Sequence, residues 1–287
     1  MREFSSKMKK SWRPTALVNR FFLCCSLLAV SIWALFPFVW LLLSSLKSER
    51  DMFSYPPTLF FTPTLQHYQI SFLKFNFLVN IQNSLTVAST STAISILLGT
   101  LTAYGLARYK FLGSSQLMFL ILTARMLPAI SIIIPLYNLM RAVNLIDTQI
   151  ALIIVHTAFN LPFAVWLLRG FFASVPREFE ESARIDGCSR IGALFRVVLP
   201  IAAAGLAATA ILCFLISWNE FLAAMVLTSS LASKTASVGI ADFITTYKVL
   251  WGPMCAAGVV YTLPVIAFSS FIQRYLTQTV MMGGIKM

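Results

Sequence analysis

Charge is what this chain has least of. Only 11% of its 287 residues are Asp, Glu, Lys or Arg, and just 10 are acidic; a soluble domain carries about 25% charged residues. With 58% hydrophobic residues and a mean hydropathy of +0.81, a water-soluble fold is not expected. Metal-ligand patterns are missing too. The two histidines, His67 and His156, stand far apart, and the five cysteines (Cys24, Cys25, Cys188, Cys213, Cys255) show no metal-type spacing. Four of those cysteines fall inside apolar runs and behave as small hydrophobes, so no disulfide framework is indicated. No glycine-rich loop leads into Lys-Ser/Thr; Gly99 and Gly105 lie in an apolar run without that lysine. P-loop ATP binding is therefore not expected, nor a cofactor, a metal or an enzymatic activity. The net charge of +12 does not point to nucleic acid, because the basic residues lie between apolar runs rather than in one patch interleaved with exposed aromatics. Work done by such a chain has to be driven by a partner or an ion gradient.

Long apolar runs are what it has. Six of them, about 21–46, 83–107, 115–140, 149–168, 201–227 and 254–272, approach the roughly 20 residues that cross a bilayer core. The first is too long for a signal peptide and no small-residue cleavage site follows, so it reads as an uncleaved span. Arg2, Lys7, Lys9, Lys10, Arg13 and Arg20 precede it against a lone Glu3. Arg108 and Lys110 follow the second run, Arg169 the fourth, Arg274 and Lys286 the sixth. Basic residues mark cytoplasmic segments, which places both termini inside. The expected fold is an all-α membrane protein of six spans. Residues 1–20 form a cytoplasmic segment, 21–276 a transmembrane domain and 277–287 a cytoplasmic tail. Segments 47–80, 141–148 and 228–252 should face outward. Pro37 is an expected kink in the first span. In the second span Ser91, Ser95, Gly99 and Ala103 recur every four residues, the small-residue face that lets helix backbones approach closely in lipid. Its neighbour could be in this chain or in another.

Between the fourth and fifth runs lies the largest charged segment. Glu178, Glu180, Glu181 and Asp186 interleave there with Arg177, Arg184, Arg190 and Arg196. It cannot sit in lipid. The pattern predicts two short helices with a break. Ser174 or Val175 caps the first, Pro176 sits in its first turn, and the glutamates meet the positive end of the helix dipole. Gly187 is placed for a left-handed C-cap. Ser189 then caps a second helix with Ile191, Leu194, Phe195 and Val198 at helical spacing, before Leu199-Pro200 opens the next span. On charge alone this is a solvated loop. The spacing of Glu181-Ser182-Ala183, Asp186-Gly187 and Leu199-Pro200 resembles the EAA loop of ABC-importer permeases, with Ser182 in place of the usual alanine. The resemblance implies a coupling helix over 174–200 that docks into a separate ATPase subunit.

The resemblance extends further. Leu136-Tyr137 after Pro135, Leu145-Ile146-Asp147-Thr148, Leu161-Pro162-Phe163 with Trp166, and Trp218-Asn219-Glu220-Phe221 are similar to the maltose-permease branch of carbohydrate importers. The ending Gly283-Gly284-Ile285-Lys286-Met287 resembles that branch's closing motif, with altered last residues. Membership implies a second homologous permease, two copies of a cytoplasmic ABC ATPase, an extracytoplasmic solute-binding protein and a sugar-type substrate. It also implies a tail from Thr277 that reaches between the ATPases. Within the spans, a carboxylate such as Glu220 costs roughly 2.5–3.5 kcal/mol at the bilayer centre. It reads either as a gate or pathway residue, or as one half of a structural ion pair or an interfacial group. Arg125 is the other charge well inside a span, so an Arg125–Glu220 pair is one expectation. Asn160, Asn219, Trp218 and Tyr137 are candidates for hydrogen bonding and stacking against a sugar, or else ordinary packing residues. The rival functions are an ion-driven secondary carrier, for which Glu220 is thin support, and a membrane scaffold that transports nothing.

Overall fold

A computed structural model describes residues 14–283, with side chains given for 20–271. The basic residues from Arg2 to Arg13 and residues 284–287 lie outside it, as do the side chains of Arg274 and of the segment from Thr277. Among the described residues the structure is helical, apart from an isolated bridge between Ile244 and Val249.

Four long helices carry the frame: α1 (Pro14–Leu46), α2 (Phe77–Arg108), α5 (Gln149–Ser174) and α11 (Trp251–Gly283). Each has an apolar window long enough to cross a membrane. Local chemistry sets their starts. Asn76, at φ +50°, turns the chain into α2 in the left-handed region that asparagine tolerates. Thr148 caps α5 by accepting from the Ala151 N–H at 3.2 Å. Both helices exceed the expected spans, α2 beginning at Phe77 and α5 running to Ser174.

Two expected spans are not single helices. The third divides into α3 (Ser114–Met126) and α4 (Ala129–Ala142), which meet at 96°. Pro128 disfavours helical backbone at Leu127, whose ψ of 126° is extended. The fifth divides twice. Between the fourth and fifth runs come α6 (Arg177–Ile185) and α7 (Arg190–Ile201), and α7 bends by 82° into α8 (Ala203–Trp218). Asn219 to Phe221 then interrupt the helix before α9 (Leu222–Leu227). Four helices can cross a membrane alone, and up to six spans result if each bent pair is one span. The segment expected as an outward loop after Thr228 holds a further short helix, α10 (Ala236–Ala241).

The small-residue face of α2 finds its neighbours inside this chain. Ser91 Oγ lies 3.0 Å from Ser217 Oγ of α8, and Ser95 donates to the Thr157 carbonyl of α5. A Cβ at Gly99 would lie 3.0 Å from the Ala164 Cβ, so glycine lets α2 approach α5 here without either helix giving way. Helix α1 is the opposite case. Every residue from Arg20 to Trp40 is exposed although the helix runs beside α11, and its polar ties gather at its end. There the Ser45 and Tyr68 hydroxyls bond at 2.8 Å, the His67 ring donates to the Lys47 carbonyl at 2.7 Å, and the Lys47 ammonium sits over the Trp40 and Phe61 rings.

Candidate functional site

The charged segment folds as two helices with a defined corner. The start of α6 differs from expectation: Pro176 is its N-cap and no side chain caps it, while Val175 closes α5. Glu178 and Glu180 still occupy its first turn, where the helix dipole favours them. Gly187, at φ +90°, ends α6. The Cys188 N–H donates to the Ala183 carbonyl (3.0 Å) and the Gly187 N–H to the Arg184 carbonyl (3.1 Å), the paired bonds of a Schellman cap. Ser189 caps α7 by accepting from the Gly192 N–H at 3.0 Å.

The helical spacing in α7 does not put all four apolar residues on one side. Leu194 and Val198 are buried against Ala103, Tyr104, Leu168 and Phe172, whereas Ile191 and Phe195 stay exposed. A wide π-type turn over Leu194–Val198 separates the two sets. Ahead of it on the surface are Phe179 and Ile185, the latter 86% exposed. Glu181, Ser182, Asp186 and Pro200 are exposed as well, with Ala183 and Leu199 half-buried. Exposed Arg177, Arg184, Arg190 and Arg196 stand among them, so the surface of this segment mixes apolar groups with charges of both signs. Glu180 is not part of it. Its side chain turns inward to an ion pair with Arg108 Nε at 2.9 Å and accepts from the Tyr104 hydroxyl.

The residues expected along a membrane pathway separate. Glu220 lies in the interruption between α8 and α9. Its two oxygens accept from the N–H groups of Ala223 (2.9 Å) and Ala224 (3.1 Å), and its carboxylate lies 3.3 Å from His156 Nε2. The expected Arg125–Glu220 pair does not form. Arg125 instead donates to the Phe159 carbonyl at 2.9 Å and stacks on the Phe163 ring, so Glu220 takes its partners from helix starts and α5. Two expected sugar contacts are packing groups. Trp218 is buried and stacked between Phe214 and Tyr261, with its indole N–H bonded to the Tyr261 carbonyl. Asn160 is fully buried and donates to the Cys213 carbonyl and the Ser217 hydroxyl. Tyr137 packs half-buried on the cluster of Val155 and Leu227, while Asn219 is exposed. Arg125 alone of the six borders a cleft of about 660 Å³, formed at the elbow of α3 and α4 with Pro135, Phe159, Pro162 and Ile216.

Sequence reasoning missed three participants: His156, Tyr104 and Arg108. A histidine one turn above Asn160 and an arginine ending a long apolar run were visible. Nothing local, however, joined them to glutamates 64 and 72 positions away. The opposite end of the molecule holds another tie of this kind. Asp147, at φ +61°, accepts from the Ser229 and Ser230 N–H groups (2.8 and 2.9 Å) and the Ser233 hydroxyl. These donors hold its carboxyl well below the usual carboxylate range. Gln149 and Asn83 extend the tie to the backbone of Leu231, Ala232 and Lys234.

Residues 95–281 match the family described as "Binding-protein-dependent transport system inner membrane component". A probable ABC transporter permease protein of Sinorhizobium fredii, y4oR, is 39% identical over 252 residues, covering 88% of this chain and 90% of the relative. The sulfoquinovosyl glycerol transport system permease protein SmoH of Agrobacterium fabrum is 38% identical over 266 residues, covering 92% and 93%. Among solved structures, a bacterial ABC transporter that imports the acidic polysaccharide alginate shares the fold. That match has a TM-score of 0.78 at 22% identity, over 92% of this chain and 98% of that one. With its helical frame, its cornered charged segment and these matches, the chain belongs to the inner-membrane permease components of binding-protein-dependent ABC transport systems.

Proposed function

We propose that this chain is one of two permease subunits of an ATP-driven importer for a sugar or related polyol, with six spans and both termini in the cytoplasm. The α6–α7 corner docks on a separate ATPase. A solute-binding protein delivers the substrate from the opposite side. The observation that carries this reading is the exposed set Phe179, Ile185, Ile191 and Phe195 on two short helices held at a fixed angle by the Gly187 cap. Apolar groups on a charged, lipid-excluded segment need a protein partner to cover them. The sugar class is supported by the sulfoquinovosyl glycerol transport system to which the Agrobacterium relative belongs and by the motifs that resemble the maltose-permease branch. ATPase closure would push this corner and swing the attached spans between two openings, a bistable bundle biased by its partner.

The test is uptake into vesicles containing the chain with its co-expressed partners. Accumulation of sugar that requires internal-side ATP and survives an ionophore is the expected result. Uptake driven by an ion gradient without ATP, or labelling of a cysteine at Glu181 from the outer side, would overturn it.

A further inference from the structure

Helix α6 touches the bundle through more than its own chain. It is covalently continuous with α5 through Val175-Pro176 and with α8 through α7. Its link to α2, by contrast, is made of side chains. The Glu180 carboxylate pairs with Arg108 Nε at 2.9 Å and accepts from the Tyr104 hydroxyl, and both partners sit on the last turns of α2. Arg108 also donates to the Val175 carbonyl at 3.0 Å, so one guanidinium ties α2, the end of α5 and the start of α6 together. All three residues are buried, at 9% exposure or less. Leu168, Phe172, Leu194 and Val198 pack around Tyr104, while Arg108 and Glu180 also border a small polar cleft with Arg177 and Arg184. An ion pair of this kind, desolvated and further hydrogen-bonded, holds its geometry firmly, because separating the partners strands a buried charge.

Helix α2 is the element that this link addresses. Its small-residue face is locked to α5 and α8 through Gly99, Ser91 and Ser95, so a displacement of its end moves the centre of the bundle. We propose that Arg108, Tyr104 and Glu180 are positioning residues that make α6 and α2 one moving part. Through them, force applied to the exposed face of α6 reaches the substrate-side helices. This rests on the coupling reading of the α6–α7 corner and adds to it the route by which the push is transmitted. Glu181, one residue along and exposed, faces the partner, while Glu180 faces the bundle.

The experiment uses the complete reconstituted complex and reads solute imported per ATP hydrolysed. Arg108→Met combined with Glu180→Leu replaces the pair by apolar groups of similar size and leaves no stranded charge. The complex is expected to assemble and hydrolyse ATP, while import per ATP falls by about tenfold, the scale of a lost contact network. Tyr104→Phe, which removes one hydroxyl and cannot upset the fold much, is expected to lower the same ratio by about twofold. An unchanged ratio in both variants would overturn the proposal. So would a proportional fall of uptake and hydrolysis with the amount of assembled complex, since that is what a merely structural contact would do. Failure of the wild-type complex to import with ATP would instead sink the coupling reading itself, and it is read before any variant is made.

Discussion

Gly187 decides the corner through its backbone rather than through space. A Cβ built there meets nothing within 4 Å, so it is not a shortage of space at that atom that calls for glycine. What remains is the φ of +90°, which costs an L-residue about 1–2 kcal/mol and a β-branched one more. Gly187→Val should therefore shift or unwind the α6–α7 angle, leave the chain in the membrane and abolish ATP-driven uptake. Gly187→Asn, which tolerates the left-handed region, should keep a measurable share of it. Equal uptake in the two variants would mean the turn does not matter. Asp147 is a second residue whose value lies in a single charge state. Its carboxyl titrates below the ordinary value of about 3.9, because two N–H groups and a hydroxyl favour the anion. Folding thus gains stability that is fully present above about pH 4 and is lost as the pH falls towards the depressed native value. Asp147→Asn should lower the unfolding temperature at pH 7. The gap from the wild type should narrow steadily when the measurement is repeated below pH 4.

At the scale of elements, the interruption between α8 and α9 is held open by one carboxylate. Glu220 gives α9 the acceptor that its first N–H groups lack and gives buried His156 a partner. Glu220→Ala would leave those donors unsatisfied at about 1–3 kcal/mol. Glu220→Gln, which can still accept from one N–H, should cost less. The order of thermal stability of the detergent-purified complex, wild type above Gln above Ala, checks this, and an Ala variant as stable as the wild type would refute it. The same element marks the boundary of what could be read from the chain alone. Four long apolar helices were legible because lipid imposes a length on apolar runs. The packing face of α2 was legible because close approach demands small residues at Ser91, Ser95, Gly99 and Ala103. Gly187 and Ser189 were legible because caps are local chemistry. The break at Asn219–Phe221 was not, since it rests on Glu220, whose partners come from α5 and from the next helix and leave no mark on a hydropathy average over 201–227. Pro128 stood in view, but a proline marks only where a helix breaks, not that the two halves meet at 96°. Nor could sequence separate Glu180 from Glu181. Adjacent and identical, they differ because the helix turns about 100° per residue and Arg108 of α2 meets the one that points inward.

For the whole molecule, exposure has two meanings that lipid separates. Helix α1 shows its entire apolar length from Phe21 to Trp40, yet hydrocarbon covers such a surface without penalty, so it calls for no partner on energetic grounds. Helix α3 is different. Among the described residues it has no buried member, and it carries Arg125 at the wall of the elbow cleft, with one hydrogen bond to Phe159 and no carboxylate beside it. A guanidinium in hydrocarbon costs about 2.5–3.5 kcal/mol at the bilayer centre, so in the assembled protein this side of the molecule faces water, solute or a polar partner group. Arg125→Leu separates the environments. If lipid surrounded the residue, the variant would be more stable and transport unchanged. If the cleft is wet and lies on the solute's route, insertion and ATP hydrolysis should survive while uptake falls by about tenfold, and Arg125→Lys, which keeps the charge but not the fork, should recover part of it.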